Sequence, residues 1–161
     1  MQAVKTVVTP IDFSDNARMI ADSAAYMAGT FGAELHLVFV VQNFEDYSGF
    51  FVPPVNLPSL SKDMLESAQQ KMEEFTESFR EQAAAAGVSA LRSQVLTGDV
   101  AEEILNYANE VRSNMIIMGT HGYKGLERIM FGSVADKVVK SACCPVLTIN
   151  PYRQDCGGGQ N

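Results

Sequence analysis

The residues best suited to chemistry in this chain are glycines. Gly119-Thr120-His121-Gly122 is followed, after nine residues, by Gly132-Ser133, a spacing of G-x-x-G, nine residues, G-S. Glycine lets backbone approach a ligand closely, and a helix opening at Ser133 aims free N–H groups and a partial positive charge at an anion. A loop of this kind is built for phosphate. Ser133 adds a hydroxyl donor, and Lys124, Arg128 and His121 bring positive charge into a chain with 19 acidic and 12 basic residues. Neither common phosphate loop is present: G-x-x-x-x-G-K-[ST] is absent, and Asp12-Phe13-Ser14-Asp15 lacks the glycines of a dinucleotide fingerprint. Asp12 is read either as a cap for the next helix or as a ligand-facing carboxylate. His36 and His121 are too few and too scattered for a metal cluster, and His36 reads as a satisfied core residue. With no nucleophile beside an oriented base, no catalytic residue and no metal ligand is assigned.

These residues need elements to place them. Val7, Val8 and Ile11 form a short strand that ends at Asp12, with Pro10 tolerated because the ladder is ending there. Ser14 is expected to cap a helix whose apolar positions Ala17, Ile20, Ala24, Met27 and Phe31 recur three and four apart, with Gly32 at the stop. Leu35 to Val41 is an almost wholly apolar strand. The stripe Leu65, Ala68, Met72, Phe75, Phe79, Ala83 and Ala86 predicts a long helix closed by Gly87, and the more polar run Val88 to Leu96 predicts an edge strand. Asp99 and Glu102 have capping-box spacing before Val100, Ile104, Ala108 and Val111. Met115 to Met118 is a fourth strand, Ser133 opens a last helix, and Val146 to Ile149 is the fifth strand.

Strands alternating with helices predict an α/β fold, a single doubly wound, five-stranded parallel sheet with helices on both faces. Residues 1–150 are read as one domain and residues 151–161 as a disordered tail. In such sheets ligands bind outside the carboxyl ends of the strands, where neighbouring connections leave in opposite directions. Gln42 to Ser59 breaks the alternation: it is rich in aromatic residues and proline, and either folds back on the sheet, covers a ligand or meets a second copy.

Composition narrows the function. Without a basic stripe, nucleic acid is not an expected partner. Without a signal segment or an apolar run near the roughly 20 residues that cross a bilayer, no membrane is expected and the compartment is read as cytoplasmic. Cys143 and Cys144 read as small buried residues entering the last strand, and with Cys156 they make no disulfide or metal pattern.

The G-x-x-G, nine residues, G-S spacing resembles the nucleotide-binding members of the universal stress protein family, over roughly Val4 to Asn150. Pro10-Ile11-Asp12 closing the first strand, Val40 near the end of the second, Val134 after the serine, and Cys144-Pro145-Val146 agree with it. The resemblance implies a Rossmann-like, adenine nucleotide alpha hydrolase-like fold and an adenine nucleotide as ligand, ATP with Mg2+ as its companion ion. It sets Asp12 and Val40 around adenine and ribose and Gly119, Gly122, Gly132 and Ser133 around the phosphates, and counts Pro10 and Val134 among the nucleotide-binding residues. It also implies a homodimer through the last strand.

The function so implied is a stress-response binding module whose associations depend on the nucleotide, with hydrolysis slow or absent. The enzyme alternative is an ATPase or phosphotransferase in the same pocket, with Asp12 holding magnesium. A third reading is a phosphoacceptor receiver domain, from Asp12, Asp15, Asp99 and Thr120 at strand ends.

Overall fold

The structure, a computed structural model, describes residues 3–42, 57–121 and 132–152. Five strands form one parallel sheet: β1 (Thr6–Pro10), β2 (Glu34–Gln42), β3 (Ala90–Gly98), β4 (Met115–Gly119) and β5 (Val146–Ile149). The helices between them are α1 (Ala17–Thr30), α2 (Leu57–Ala85), α3 (Val100–Glu110) and α4 (Ser133–Ser141). The strand order is β3-β2-β1-β4-β5, with every pair parallel. This is the doubly wound arrangement the alternation of strands and helices predicts. It excludes the receiver reading, whose fold places the first strand between the second and third.

Alternation along the strands sends side chains to two cores. Val7, Leu35, Leu37 and Ile117 pack under α1 and α2 with Ala21, Ala24, Met72 and Phe79. Val8, Val38, Ile116 and Met118 pack under α3 and α4 with Ile104, Ala108 and Val138. The stripes read from helical spacing are therefore the buried faces, except at Phe31, which lies just past the end of α1 and is exposed. The edge position read for the polar third strand holds, since β3 pairs with β2 alone. Gly32 and Gly87 end α1 and α2 at φ 61° and 92°, a region glycine enters without steric cost.

Four expectations change. Ser14 does not cap α1: Phe13 sits at φ 56° and turns the chain, so Ser14 donates its N–H to Asp12 Oδ1 at 3.0 Å. The helix then begins after Asn16, which makes no side-chain cap bond. Cys143 is exposed and Cys144 only half-buried, because they enter β5, an edge strand with a neighbour on one side alone. Of the region Gln42 to Ser59, Gln42 closes β2 and residues 57–59 open α2, with Pro58 in the first turn, where a missing N–H is harmless; the rest lies outside the described residues. Pro151, assigned to the tail, is buried, and residues 153–161 lie outside the described residues.

Candidate ligand site at the ends of β1, β2 and β4

Connections from β1 and from β4 leave toward opposite faces of the sheet, so the crevice such folds use lies between these two strands. Pro10 helps to open it. Successive residues of a strand point their backbone groups to alternate sides, and the N–H of Ile11 bonds the Val38 carbonyl of β2 at 2.9 Å. The missing N–H of Pro10 therefore falls on the β4 side, where pairing stops at Val8 with Ile116.

Val40 adds the second wall. Its side chain is buried in the core under α3 and α4, so only its backbone is left for a ligand. Val40 points its backbone groups to the same side as Val38, toward β1, yet the last β1–β2 bond is the one from Ile11 to Val38. The peptide groups of Val40 thus lie beyond that ladder, beside the half-buried Asp12. Asp12 is not a helix cap. One carboxylate oxygen closes the turn at Ser14, and Phe13 anchors that turn by packing on Phe39 at 4.6 Å and edge-on to Phe75 at 6.2 Å.

On the other side of the crevice, α4 starts against the end of β4. Gly132 donates its N–H to the Thr120 carbonyl at 2.8 Å, and Thr120 donates its own to Ile149 of β5 at 2.8 Å. Gly132 is the residue before the first turn and offers no side-chain cap, while Ser133 is exposed. Val134 is half-buried against the core under α3 and α4, which fixes the helix start to the sheet. Close approach of the chain to itself already crowds both described loop glycines. A Cβ at Gly132 would stand 3.0 Å from the Thr120 carbonyl oxygen, and one at Gly119 would stand 3.3 Å from that of His121. Sequence spacing cannot distinguish this role from close approach to a ligand.

Gly122, Lys124 and Arg128 lie outside the described residues. His121 bonds Thr120 Oγ1 through Nδ1 at 2.8 Å and lies edge-on to Tyr152. His36 is the satisfied core histidine expected, with Nδ1 2.9 Å from the Tyr107 hydroxyl and Nε2 3.2 Å from Glu34. Asp99 caps α3 as its spacing predicts, accepting the Glu102 N–H at 3.0 Å, and Lys137 of α4 bridges Asp99 and Glu102 at 3.2 and 2.9 Å. That bridge joins the start of α3 to the middle of α4, a link sequence reasoning missed because the partners lie on separate helices. Among the described residues no group of three or more His, Cys, Asp or Glu side chains could hold a metal ion. No described helix is long and apolar enough to cross a membrane.

Sheet order and site together define an open, doubly wound α/β protein with its crevice at the β1–β4 switch. The sequence model of the Universal stress protein family matches residues 3–150, and the chain belongs to that family. A universal stress protein of Methanocaldococcus jannaschii is 35% identical over 156 residues, which cover 94% of this chain and 85% of the relative. Among solved structures, the universal stress protein UspA from Lactobacillus plantarum superposes with a TM-score of 0.76 at 23% identity, over 93% of this chain and 100% of its own. A universal stress protein in complex with cAMP matches with a TM-score of 0.66 at 19% identity, over 93% of this chain and 99% of its own. One from Archaeoglobus fulgidus in complex with dAMP gives 0.62 at 22%, over 92% and 100%.

Proposed function

We propose that this chain binds an adenine nucleotide, ATP foremost, at the switch between β1 and β4, and serves in the stress response as a module whose associations depend on that nucleotide. The observation that carries the reading is the start of α4: a helix N-terminus without a side-chain cap, held at the carboxyl end of β4. Its first amides and partial positive charge suit a phosphate chain, with the exposed Ser133 hydroxyl beside them. Support for adenine is twofold. The backbone of Val40, past the end of its ladder with β1, offers a donor and an acceptor to a base edge. Two family structures hold adenine nucleotides, cAMP and dAMP.

In this reading Pro10, Asp12 and Val40 line adenine and ribose, and Gly119, Gly122, Gly132, Ser133 and Val134 line the phosphates. Magnesium fits the donor set, since that ion is commonly held by one or two carboxylates together with substrate phosphates, and Asp12 is the carboxylate at the crevice. The same copy pairs with a second through the edge of β5. Calorimetric titration with ATP and GTP tests the reading. Tight ATP binding with much weaker GTP binding is expected, since phosphates are read without regard to base whereas Val40 and Asp12 meet the base and sugar. Equal affinities would remove the adenine assignment, and no heat with either would remove the site.

A further inference from the structure

Thr120 and His121 directly follow Gly119 and have no part in the ligand set above. Thr120 is buried and every polar group it carries is engaged. Its N–H bonds Ile149 at the end of β5, its carbonyl receives Gly132 at the start of α4, and its hydroxyl lies 2.8 Å from His121 Nδ1. One residue thus ties β5 and α4 to the end of β4. The His121 ring is braced from its other side by Tyr152, edge-on, with centroids 5.4 Å apart and planes at 74°.

His121 Nε2 is buried and has no hydrogen-bond partner among the described residues. An unpaired buried nitrogen costs free energy, so the contacts that hold the ring in place matter. Among the described residues two contacts hold it, the Thr120 hydroxyl and the Tyr152 ring. The His121 α-carbon also lies 3.8 Å from where a Cβ on Gly132 would stand. Any rotation of the backbone at 120–121 would therefore shift the carbonyl that holds the helix start.

We propose that Thr120 and His121 are positioning residues: the bond between the Thr120 hydroxyl and His121 Nδ1, braced by Tyr152, fixes the carbonyl that holds Gly132 and so sets where the first amides of α4 stand. The effect on ATP rests on the nucleotide reading above; the hold on α4 does not. Two variants separate the hydroxyl from the shape, Thr120→Val, which loses the bond, and Thr120→Ser, which keeps it.

Amide hydrogen exchange on the ligand-free variants reads the hold directly. In Thr120→Val, exchange at Gly132 is expected to accelerate about tenfold, with Ile104 to Ala108 of α3 unchanged, and Thr120→Ser is expected to restore the wild-type rate. Calorimetry reads the consequence: Thr120→Val weakens ATP by about three- to tenfold, the size of one neutral hydrogen bond, and AMP, with a single phosphate, by less. Wild-type exchange at Gly132 in Thr120→Val overturns the proposal, as does failure of Thr120→Ser to rescue. Acceleration throughout the protein also overturns it, since the role would then be general stability. Faster local exchange with no ATP binding by the wild type sustains the positioning role and sinks the nucleotide reading instead.

Discussion

Gly29 in α1 meets the carbonyl of Ala86 so closely that a Cβ at position 29 would overlap the Ala86 oxygen. Gly87 lies on the same contact, and its own added Cβ would stand 3.3 Å from the Gly29 carbonyl oxygen. The end of α1 and the exit of α2 thus touch backbone to backbone, and just beyond them Ser89 donates to the Ala33 carbonyl at 3.0 Å, leading the chain into β3. Gly29→Ala is expected to destabilise the fold by about 1–3 kcal/mol, the range for overpacking, since the obstacle is main chain that cannot rotate aside. Urea denaturation measures this. A loss below about 0.5 kcal/mol, the size of an ordinary surface change, would mean the helices separate without cost.

Ser133 and Gly132 differ in what their loss removes. Ser133 is exposed, and Ser133→Ala deletes one hydroxyl while leaving the amides of α4 in place. ATP affinity is expected to fall by roughly ten- to a hundredfold, as for one hydrogen bond to a charged group. Gly132→Val is expected to abolish binding, but it also crowds the Thr120 carbonyl at 3.0 Å. Its circular dichroism and melting temperature therefore have to accompany its titration. Ser133→Ala that binds ATP like the wild type would remove the hydroxyl from the phosphate site.

Asp99 links acidity to stability at the start of α3. The Glu102 N–H, joined by Lys137 and opposed by slight burial, holds its carboxyl below the usual range. A carboxyl depressed in the folded state stabilises in full above the unfolded value of about 3.9, and that stabilisation is lost as pH falls through the folded value. Asp99→Ala is expected to cost about 0.5–2 kcal/mol at pH 7, as for a lost cap. The Lys137 pair, half-exposed, adds little to this. Urea midpoints at pH 7, 5 and 3 check the sign: the gap between wild type and variant narrows only at the lowest pH. A constant gap would detach the cap from the carboxylate charge.

Leu147 reports on self-association. It is 38% exposed in β5, whose outer edge has no neighbouring strand among the described residues. An unpaired apolar edge is a template for a second chain, and charge on such an edge blocks pairing. Leu147→Lys is expected to sediment as a monomer where the wild type sediments as a dimer. A variant of wild-type mass would move the interface elsewhere.

The sheet and its helices were legible because their signals are periodic. Val146–Ile149 is β5 as read, and the stripe from Ala68 to Ala83 is the buried face of α2. The entrance to α1 was not legible, because a phenylalanine at φ 56° breaks the usual preference, takes Ser14 out of the expected cap and makes Asp12 the lock of a turn. The exposure of Cys143 depends on which strand lies at the edge, a property of the sheet rather than of the local segment. At the candidate site, spacing located Gly119 and Gly132 but could not reveal that Thr120 and His121 crowd them. Lys137 was silent for a related reason: its partners Asp99 and Glu102 belong to a different helix.

The central place of β1 has a consequence for how the chain is made. β1 leaves the ribosome first, and β2 follows soon enough to pair with one side of it. Its other side waits for Met115, about a hundred residues later, which at roughly 5–20 residues per second is on the order of five to twenty seconds. Through that interval Val7 can be covered by α1 and α2, but the face carrying Val8 and Val38 awaits α3 and α4. Until those elements follow, the partial sheet has one apolar face bare and one edge of β1 open, the kind of surface that makes folding intermediates prone to aggregate. Completion of β4 closes the open edge of β1, and α4, made after it, covers the remaining face.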